Sequence, residues 1–184
     1  MTSARAVGLN ALSLYAVAAV LSAAFAGQLL DHELPCPLCL LQRVMFALLA
    51  VGPVLNIRFG PRPSHYGMSL LVAVAGMAVA ARQVLLHILP GDAGYGSALL
   101  GFHFYTWALI GFAIAVVLLA AILLFDGQFD TRDAAPVAPG AFASFAVWLV
   151  IGLTVLNFAS ALLECGFGAC ADNPTIYELL QSGR

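Results

Sequence analysis

The sequence contains no lysine, and charged residues of any kind make up only 9% of its 184 positions. Its seven arginines are scattered along the chain, and the formal net charge is −2. With no basic cluster, the chain lacks the usual electrostatic footprint of a nucleic-acid-binding protein. Hydrophobic residues make up 62% of the chain, with a mean hydropathy of +1.00. A soluble domain of this size cannot bury so much apolar surface, so the composition indicates a polytopic membrane protein.

Five apolar runs are separated by short polar or proline-containing connections. They cover residues 6–30, 38–57, 66–89, 104–125 and 142–163. Each has roughly the 20 residues that a helix needs to cross the hydrocarbon core of a bilayer. The predicted fold is therefore an all-α membrane protein, a single integral domain over residues 1–184 with five transmembrane helices.

The first run also resembles a secretory signal peptide, because Arg5 precedes it and Ala24-Phe25-Ala26 resembles a cleavage site. Its apolar stretch is longer than the roughly 7–15 residues of a signal-peptide core. We therefore expect a retained transmembrane helix.

The connections that contain arginine alternate along the chain with connections that contain none. Arginines stand before the first run, between the second and third, and between the fourth and fifth: Arg5, Arg58, Arg62 and Arg132. The opposite connections and the tail carry acidic residues: Asp31, Glu33, Asp92, Glu164, Asp172 and Glu178. The positive-inside rule then predicts a cytoplasmic N-terminus, a cytoplasmic loop at 126–140 and an exterior C-terminus. All four cysteines are predicted to lie at the exterior face.

The first cysteine pair, Cys36 and Cys39, stands where the chain enters the second run. Pro37 suits the first helical position, which makes Cys36 the N-cap residue. A sulfur there faces unpaired backbone N–H groups and the positive end of the helix dipole, which favour a thiolate. A spacing of three brings the two sulfurs together on one helical face, close enough for a disulfide.

Arg43 follows Cys39 by four residues and so shares its helical face. An arginine inside an apolar helix costs at least ~2.5 kcal/mol on insertion scales, so it normally has a partner or a function. One interpretation is that it stabilises a thiolate or a reduced, oxygen-bearing cofactor; the alternative is that it snorkels to the outer headgroups.

Three further residues near the end of the third run are weaker candidates for a ligand site. Gln83 offers a hydrogen bond to a ligand carbonyl, whereas Arg82 can equally pair or snorkel. His87 can equally be an ordinary interfacial histidine.

The second cysteine pair, Cys165 and Cys170, follows the fifth run. Gly166 and Gly168 permit a tight turn in which the two sulfurs can bridge. A short exposed ring of this kind favours a labile disulfide, although a structural staple of the tail is the alternative. Beyond it, Asn173 and Pro174 resemble a helix start, so residues 173–180 are either a short surface helix or a frayed terminus.

The run Cys36-Pro37-Leu38-Cys39-Leu40-Leu41-Gln42-Arg43 resembles the motif of the DsbB (disulfide bond formation protein B) family of bacterial inner-membrane thiol oxidases. Ala81-Arg82-Gln83-Val84 and Pro90 are similar to that family's third-span ending. The resemblance implies a four-helix bundle over residues 1–125. It also implies a membrane quinone, ubiquinone or menaquinone, beside the CxxC and Arg43, and a periplasmic thioredoxin-like partner similar to DsbA.

The chain departs from that family at its second cysteine pair. The family carries the pair between spans three and four, whereas the loop 90–103 contains no cysteine here. Residues 141–184 instead add a fifth helix and a tail with Cys165 and Cys170, predicted to be periplasmic.

The sequence-based hypothesis is a thiol:quinone oxidoreductase that drives disulfide bond formation. The partner would reduce Cys165–Cys170, this pair would reduce Cys36–Cys39, and Cys39 would pass the electrons to quinone with help from Arg43. Two alternatives stay open: a four-thiolate metal site, and an enzyme similar to vitamin K epoxide reductase.

Overall fold

The computed structural model describes residues 3–125, 129 and 138–181, and this part of the chain is mainly helical. The helices are α1 (Ser3–Leu30), α2 (Pro37–Leu49), α3 (Val51–Phe59), α4 (Pro63–Leu86), α5 (Phe104–Leu123), α6 (Ala141–Cys165) and α7 (Glu178–Gln181). Two short strands, β1 (Ala98–Leu99) and β2 (Phe102–His103), form a hairpin before α5. Most of the expected cytoplasmic loop 126–140, including Arg132, lies outside the described residues, as does Arg184.

Five helical segments in the described part of the chain are long and apolar enough to cross a membrane. They are α1, α2 with α3, α4, α5 and α6, so the prediction of an all-α protein with five membrane helices is confirmed. Large apolar side chains remain exposed along their outer faces, such as Leu71, Val117 and Trp148. Such faces suit contact with lipid, where no hydrophobic driving force removes them from the surface.

The second membrane segment bends at Ala50, between α2 and α3. The sequence predicts one continuous helix over this segment. The cause of the bend is Pro53, which has no backbone N–H to donate to the carbonyl of Leu49 one turn earlier. The Ser69 hydroxyl on α4 donates to that carbonyl instead, at 2.9 Å. The proline therefore exposes a backbone acceptor, and a neighbouring helix satisfies it.

The bundle is built around α2, which lies between α1 and α4. Helix α5 packs along α4 on one side, and α6 packs along α1 on the other. In the centre the rings of Phe46 and Phe112 stack with centroids 4.1 Å apart. Gly76 makes room for Phe112, because a Cβ at this position would overlap the ring.

A buried polar cluster ties α1, α3 and α4 together at the end away from the cysteines. The Asn10 amide donates to the Tyr66 hydroxyl at 3.0 Å, and the Asn56 amide donates to Asn10 Oδ1 at 3.0 Å. The His65 ring contacts Asn56 Oδ1 at 2.9 Å. These bonds satisfy polar groups that would otherwise be costly inside a membrane bundle.

The tail contains less helix than a start at Asn173 and Pro174 predicts. The only helical turn among its described residues is α7, which begins at Glu178. Tyr177, just before it, instead bonds to α1 through its side chain. This contact holds the tail against the bundle.

Candidate active site

Cys36 caps the N-terminus of α2, as the sequence predicts. Its backbone is extended, Pro37 occupies the first turn, and the Cys39 backbone N–H donates to the Cys36 sulfur at 3.1 Å. Cys36 and Cys39 form a disulfide with their Cα atoms 4.9 Å apart. Cys36 is only 6% exposed. The positive end of the helix dipole therefore acts directly on this pair.

Gln83 of α4 contacts both sulfurs of the disulfide. Its side-chain nitrogen lies 3.2 Å from the Cys36 sulfur and 3.4 Å from the Cys39 sulfur. Its oxygen accepts a hydrogen bond from the Gln42 amide at 2.7 Å. Gln83 is 1% exposed, so this donor is fixed by its surroundings before any reaction. The sequence predicts a hydrogen bond from Gln83 to a ligand carbonyl, whereas in the structure its donor contacts the disulfide.

Arg43 is held inside the bundle by α1. One guanidinium nitrogen donates to Gln28 Oε1 at 2.7 Å, and the other donates to the Ala24 carbonyl at 2.9 Å. The guanidinium carbon also lies 5.7 Å from the centre of the Phe25 ring. These contacts differ from the snorkelling alternative, because both terminal nitrogens bond within the protein.

Gln28 links Arg43 to the part of the chain that carries the second cysteine pair. Its amide nitrogen donates to the Ser160 hydroxyl of α6 at 2.7 Å and lies 3.0 Å from the Tyr177 hydroxyl. One buried side chain therefore connects α1, α2, α6 and the tail. This network places the end of α6 and the start of α2 at the same end of the bundle.

A cavity of about 200 Å³ lies beside the first cysteine pair. The lining is mainly apolar, and its polar side chains include Gln28, Glu33, Cys39, Gln42, Arg43 and Tyr95. Its lining comes from α1, α2, α5 and the two loops next to them, including Leu21, Phe46, Phe104 and Trp107. It is an apolar chamber with a few polar groups at one side, the usual composition of a cofactor site.

The loop between α4 and α5 covers this cavity. The Tyr95 hydroxyl donates to the Leu34 carbonyl at 2.6 Å, and both the backbone N–H and the hydroxyl of Ser97 donate to the Glu33 carboxylate. Burial, together with the nearby Glu164 and Glu33 charges, raises the pKa of Tyr95, so its hydroxyl remains a donor. In this chain the loop that lacks cysteine forms a wall of the chamber.

Cys165 and Cys170 form a second disulfide, with Cα atoms 4.5 Å apart. Cys165 is the last residue of α6, and the following Gly166 has φ +61°, a conformation that favours glycine. Gly168 does not have a positive φ, so only Gly166 is needed for the turn. Both cysteines are partly exposed. This pair is therefore more accessible than Cys36.

Two of the predicted ligand residues lie away from the cavity. Arg82 is exposed, since it is next to Gln83 in sequence and so points about 100° away around α4. His87 ends α4 and contacts the Asp92 carboxylate at 3.1 Å. A backbone N–H from Gly94 and the His87 ring lower the pKa of Asp92. Neither Arg82 nor His87 lines the chamber, and Gln83, which contacts the disulfide, is not part of the lining either.

Glu164 is a further residue of interest, and its sequence interpretation was wrong. It was counted among the acidic residues of an exterior connection, but α6 continues to Cys165 and Glu164 is 2% exposed. Among the described residues, neither of its carboxylate oxygens has a hydrogen-bond partner. It lies within electrostatic range of Arg43 and Tyr95.

Sequence reasoning missed the roles of Gln28, Gln42 and Glu164. Each is a polar residue within or at the end of an apolar run, and such residues are often functional in membrane helices. That signal marks the residues but not their partners. The contacts depend on which helix faces are adjacent, and one sequence does not give this information.

Comparisons with known proteins bear on the same part of the chain. The family described as "Disulfide bond formation protein DsbB" matches residues 6–96. This segment, residues 6–96, is therefore similar to the DsbB family. The match contains α1 to α4, both polar contacts to the first disulfide, and Arg43. It ends at residue 96, before α5. Of the likeness expected over spans one to four, the match therefore covers the first three spans and not the fourth.

Individual relatives give the same result over a shorter segment. The chain is 46% identical over 63 residues to "Disulfide bond formation protein B" of Xanthomonas axonopodis pv. citri, which is 32% of this chain and 37% of that protein. The protein of the same name from Azoarcus sp. is 40% identical over 62 residues, with the same shares covered. That of Nitrosomonas eutropha is 36% identical over 67 residues, 34% of this chain and 41% of that protein.

The chain thus matches about two fifths or less of the length of these DsbB relatives. No solved structure gives a significant match. The five apolar helices identify a multi-pass membrane protein, and the segment similar to DsbB contains its CxxC pair.

Proposed function

We propose that this protein is a membrane thiol:quinone oxidoreductase. It reoxidises a periplasmic thioredoxin-like thiol oxidase similar to DsbA and passes the electrons to a membrane quinone. The observation that carries this proposal is the chamber beside the first disulfide, lined by Cys39 and Arg43. The DsbB match over residues 6–96 supports it from an independent direction.

The chamber fits a quinone by its chemistry. Its apolar walls suit a flat ring and an isoprenoid tail, and Phe104 and Trp107 provide aromatic surface. Arg43 and Gln42 provide N–H donors on the same side as Cys39, where ring carbonyls need hydrogen bonds. A bound ubiquinone or menaquinone would supply a two-electron acceptor that the protein itself lacks.

The first pair is arranged to release electrons towards this chamber. Gln83 donates to both sulfurs, and the N-terminus of α2 adds a positive field. Both features stabilise negative charge on sulfur, and the thiolate is the reactive form. Cys39 lines the chamber and Cys36 does not, so Cys39 is assigned the contact with the cofactor.

The second pair is assigned the exchange with the partner. A thiolate of the reduced partner attacks the Cys165–Cys170 disulfide, a mixed disulfide forms, and the partner leaves oxidised. The reduced Cys165 and Cys170 then reduce Cys36–Cys39 by the same chemistry. Two electrons and two protons move at each step, so the thiol and disulfide counts balance.

The orientation belongs to the proposal as well. With the N-terminus in the cytoplasm, both disulfides face the periplasm of a bacterial inner membrane, where disulfides persist. The four-thiolate metal alternative is weakened, because it requires four free thiols and the structure pairs all four cysteines.

The relay is tested with purified protein, reduced DsbA and quinone. Cys165→Ser and Cys170→Ser should block oxidation of DsbA, while dithiothreitol should still reduce Cys36–Cys39 slowly and support some quinone reduction. Cys39→Ser should abolish quinone reduction with either reductant. A Cys165→Ser protein that oxidises DsbA at the wild-type rate would contradict the relay.

A further inference from the structure

Among the described residues, Glu164 is the one buried carboxyl group, and the relay leaves it without a role. It lies in the last turn of α6, directly before Cys165, and is 2% exposed. Among the residues that the structure describes, no donor reaches either of its oxygens. A buried polar group without a partner costs stability, so its retention calls for an explanation.

The surroundings of Glu164 connect it to both cysteine pairs. Arg43, one turn beyond Cys39, lies within electrostatic range of Glu164. The Gln28 network joins Arg43 to Ser160, one turn before Glu164 on α6. Glu164 is therefore adjacent in sequence to one pair and close in space to the arginine that serves the other.

Few charged or titratable groups face Glu164. They are Arg43 from α2 and Tyr95 from the loop after α4, and Tyr177 from the tail interacts with Arg43. Helix α1 contributes the uncharged Gln28. Among the described residues no hydrogen bond occupies either carboxylate oxygen of Glu164, so either oxygen can take up or release a proton.

We propose that Glu164 carries protons between the two cysteine pairs during their exchange. This inference rests on the proposed function. As a carboxylate, Glu164 takes the proton of the attacking thiol of the second pair, and a mixed S–S bond forms as the Cys36–Cys39 bond breaks. As a carboxylic acid, it returns the proton to the departing sulfur of the first pair. The second thiol resolves the mixed disulfide in the same way, so Glu164 ends unchanged.

The test uses quinone-free protein with both disulfides formed, and dithiothreitol at limiting concentration. Samples are acid-quenched, and free thiols at each pair are trapped with a maleimide and counted by mass. We expect Glu164→Gln to slow reduction of Cys36–Cys39 roughly 100-fold, the lower range for a lost general acid–base. The exposed Glu178, in the same tail region, provides the matched control: Glu178→Gln should leave the rate unchanged.

The pH profile separates proton transfer from a structural effect. Without Glu164 the attacking thiolate must form in solvent, so the Glu164→Gln rate should rise about tenfold per pH unit below the thiol pKa. The wild-type rate should vary much less between pH 6 and pH 8. Glu164→Asp should restore part of the rate and the flatter profile, which a lost packing contact would not do.

In a Cys165→Ser/Cys170→Ser protein the second pair is absent, so dithiothreitol can reduce Cys36–Cys39 only directly. This background therefore gives the direct rate of Cys36–Cys39 reduction. Adding Glu164→Gln to this background should leave the direct rate unchanged. Equal rates and pH profiles for wild type and Glu164→Gln, or a slower direct rate in the background, would overturn the role of Glu164. If removing the second pair does not slow reduction of Cys36–Cys39 in otherwise wild-type protein, the relay itself fails.

Discussion

Arg43 carries the charge on which the cofactor proposal depends. Its guanidinium bonds to Gln28 and to the Ala24 carbonyl, and it also lines the chamber. Arginine presents five N–H donors, so two bonds to α1 leave donors for a ligand. The same contacts hold the planar group in one orientation, which lowers the entropy lost on binding.

Replacing Arg43 should weaken quinone binding. A hydrogen bond to a charged group contributes roughly 1.5–3 kcal/mol, so Arg43→Ala should raise the apparent quinone Kd about 10- to 150-fold. Arg43→Lys keeps the charge without the planar fork and should be intermediate. Quinone titrations of folded, detergent-purified protein measure this effect. The exposed Arg82 supplies the control, since Arg82→Ala should bind quinone normally. Unchanged affinity and turnover in both Arg43 variants would remove Arg43 from the active site.

Gln83 should matter for stability as well as for reactivity. Gln83→Leu leaves the buried Gln42 amide without its acceptor, which should lower the free energy of unfolding by about 1–3 kcal/mol. It should also slow exchange at Cys36–Cys39, because a donor to sulfur is lost. Denaturant unfolding in detergent measures the first effect. The double variant Gln42→Leu/Gln83→Leu removes both partners and should recover part of the stability. No recovery would mean that the Gln42–Gln83 hydrogen bond is not the cause.

The second membrane segment shows how a proline shapes a helix in this bundle. Pro53 frees the Leu49 carbonyl, Ser69 satisfies it, and Gly52 lets α4 approach closely enough to do so. A Cβ at Gly52 would overlap the Ser69 hydroxyl and the His65 carbonyl. The bend therefore depends on three residues in two helices.

Enlarging Gly52 should separate these helices. Gly52→Ala should destabilise the protein by about 1–3 kcal/mol, the usual range for overpacking, and thermal unfolding in detergent measures the loss. Gly67 on α4 has open space around its Cβ position, so Gly67→Ala is the matched control and should be neutral or slightly stabilising. Equal stability of the two variants would contradict the close packing at Gly52.

Element boundaries were largely predictable, because hydropathy and helix-start residues are local signals. The five apolar runs gave the membrane helices, and Pro37 identified Cys36 as the cap of α2. For residues 173–180 the sequence left two alternatives open, a short surface helix and a frayed terminus. The structure has a helical turn only from Glu178, and Tyr177 before it bonds to Gln28 through its side chain.

The candidate site was predictable by residue type but not by contact. Four cysteines and Arg43 follow from spacing alone. Gln83 contacts the disulfide, whereas its neighbour Arg82 points outward. Which of the two faces the disulfide depends on how α4 is rotated against α2. The placement of Glu164 depends on where α6 ends. The predicted run ends at residue 163 and the helix ends at Cys165, so Glu164 lies in the buried last turn of α6 and not in a connection.

The topology of the whole molecule decides whether the two pairs can meet. On intact cells treated with reductant, an impermeant maleimide should label Cys170 from outside. A cysteine introduced by Arg58→Cys, at the opposite end of the bundle, should be labelled only after lysis. Labelling is followed by gel shift, with Cys170→Ser as the background. Labelling of Cys170 only after lysis would place this pair in the cytoplasm and contradict a periplasmic relay.

The coupling of thiol oxidation to quinone reduction tests the central claim most directly. Purified protein is mixed with reduced DsbA and a short-chain ubiquinone, and quinone absorbance and DsbA thiols are followed in the same sample. The account predicts that one quinone is reduced for each DsbA disulfide formed, and that Cys39→Ser abolishes both signals. Oxidation of DsbA without loss of quinone, or loss of quinone in the Cys39→Ser protein, would contradict it.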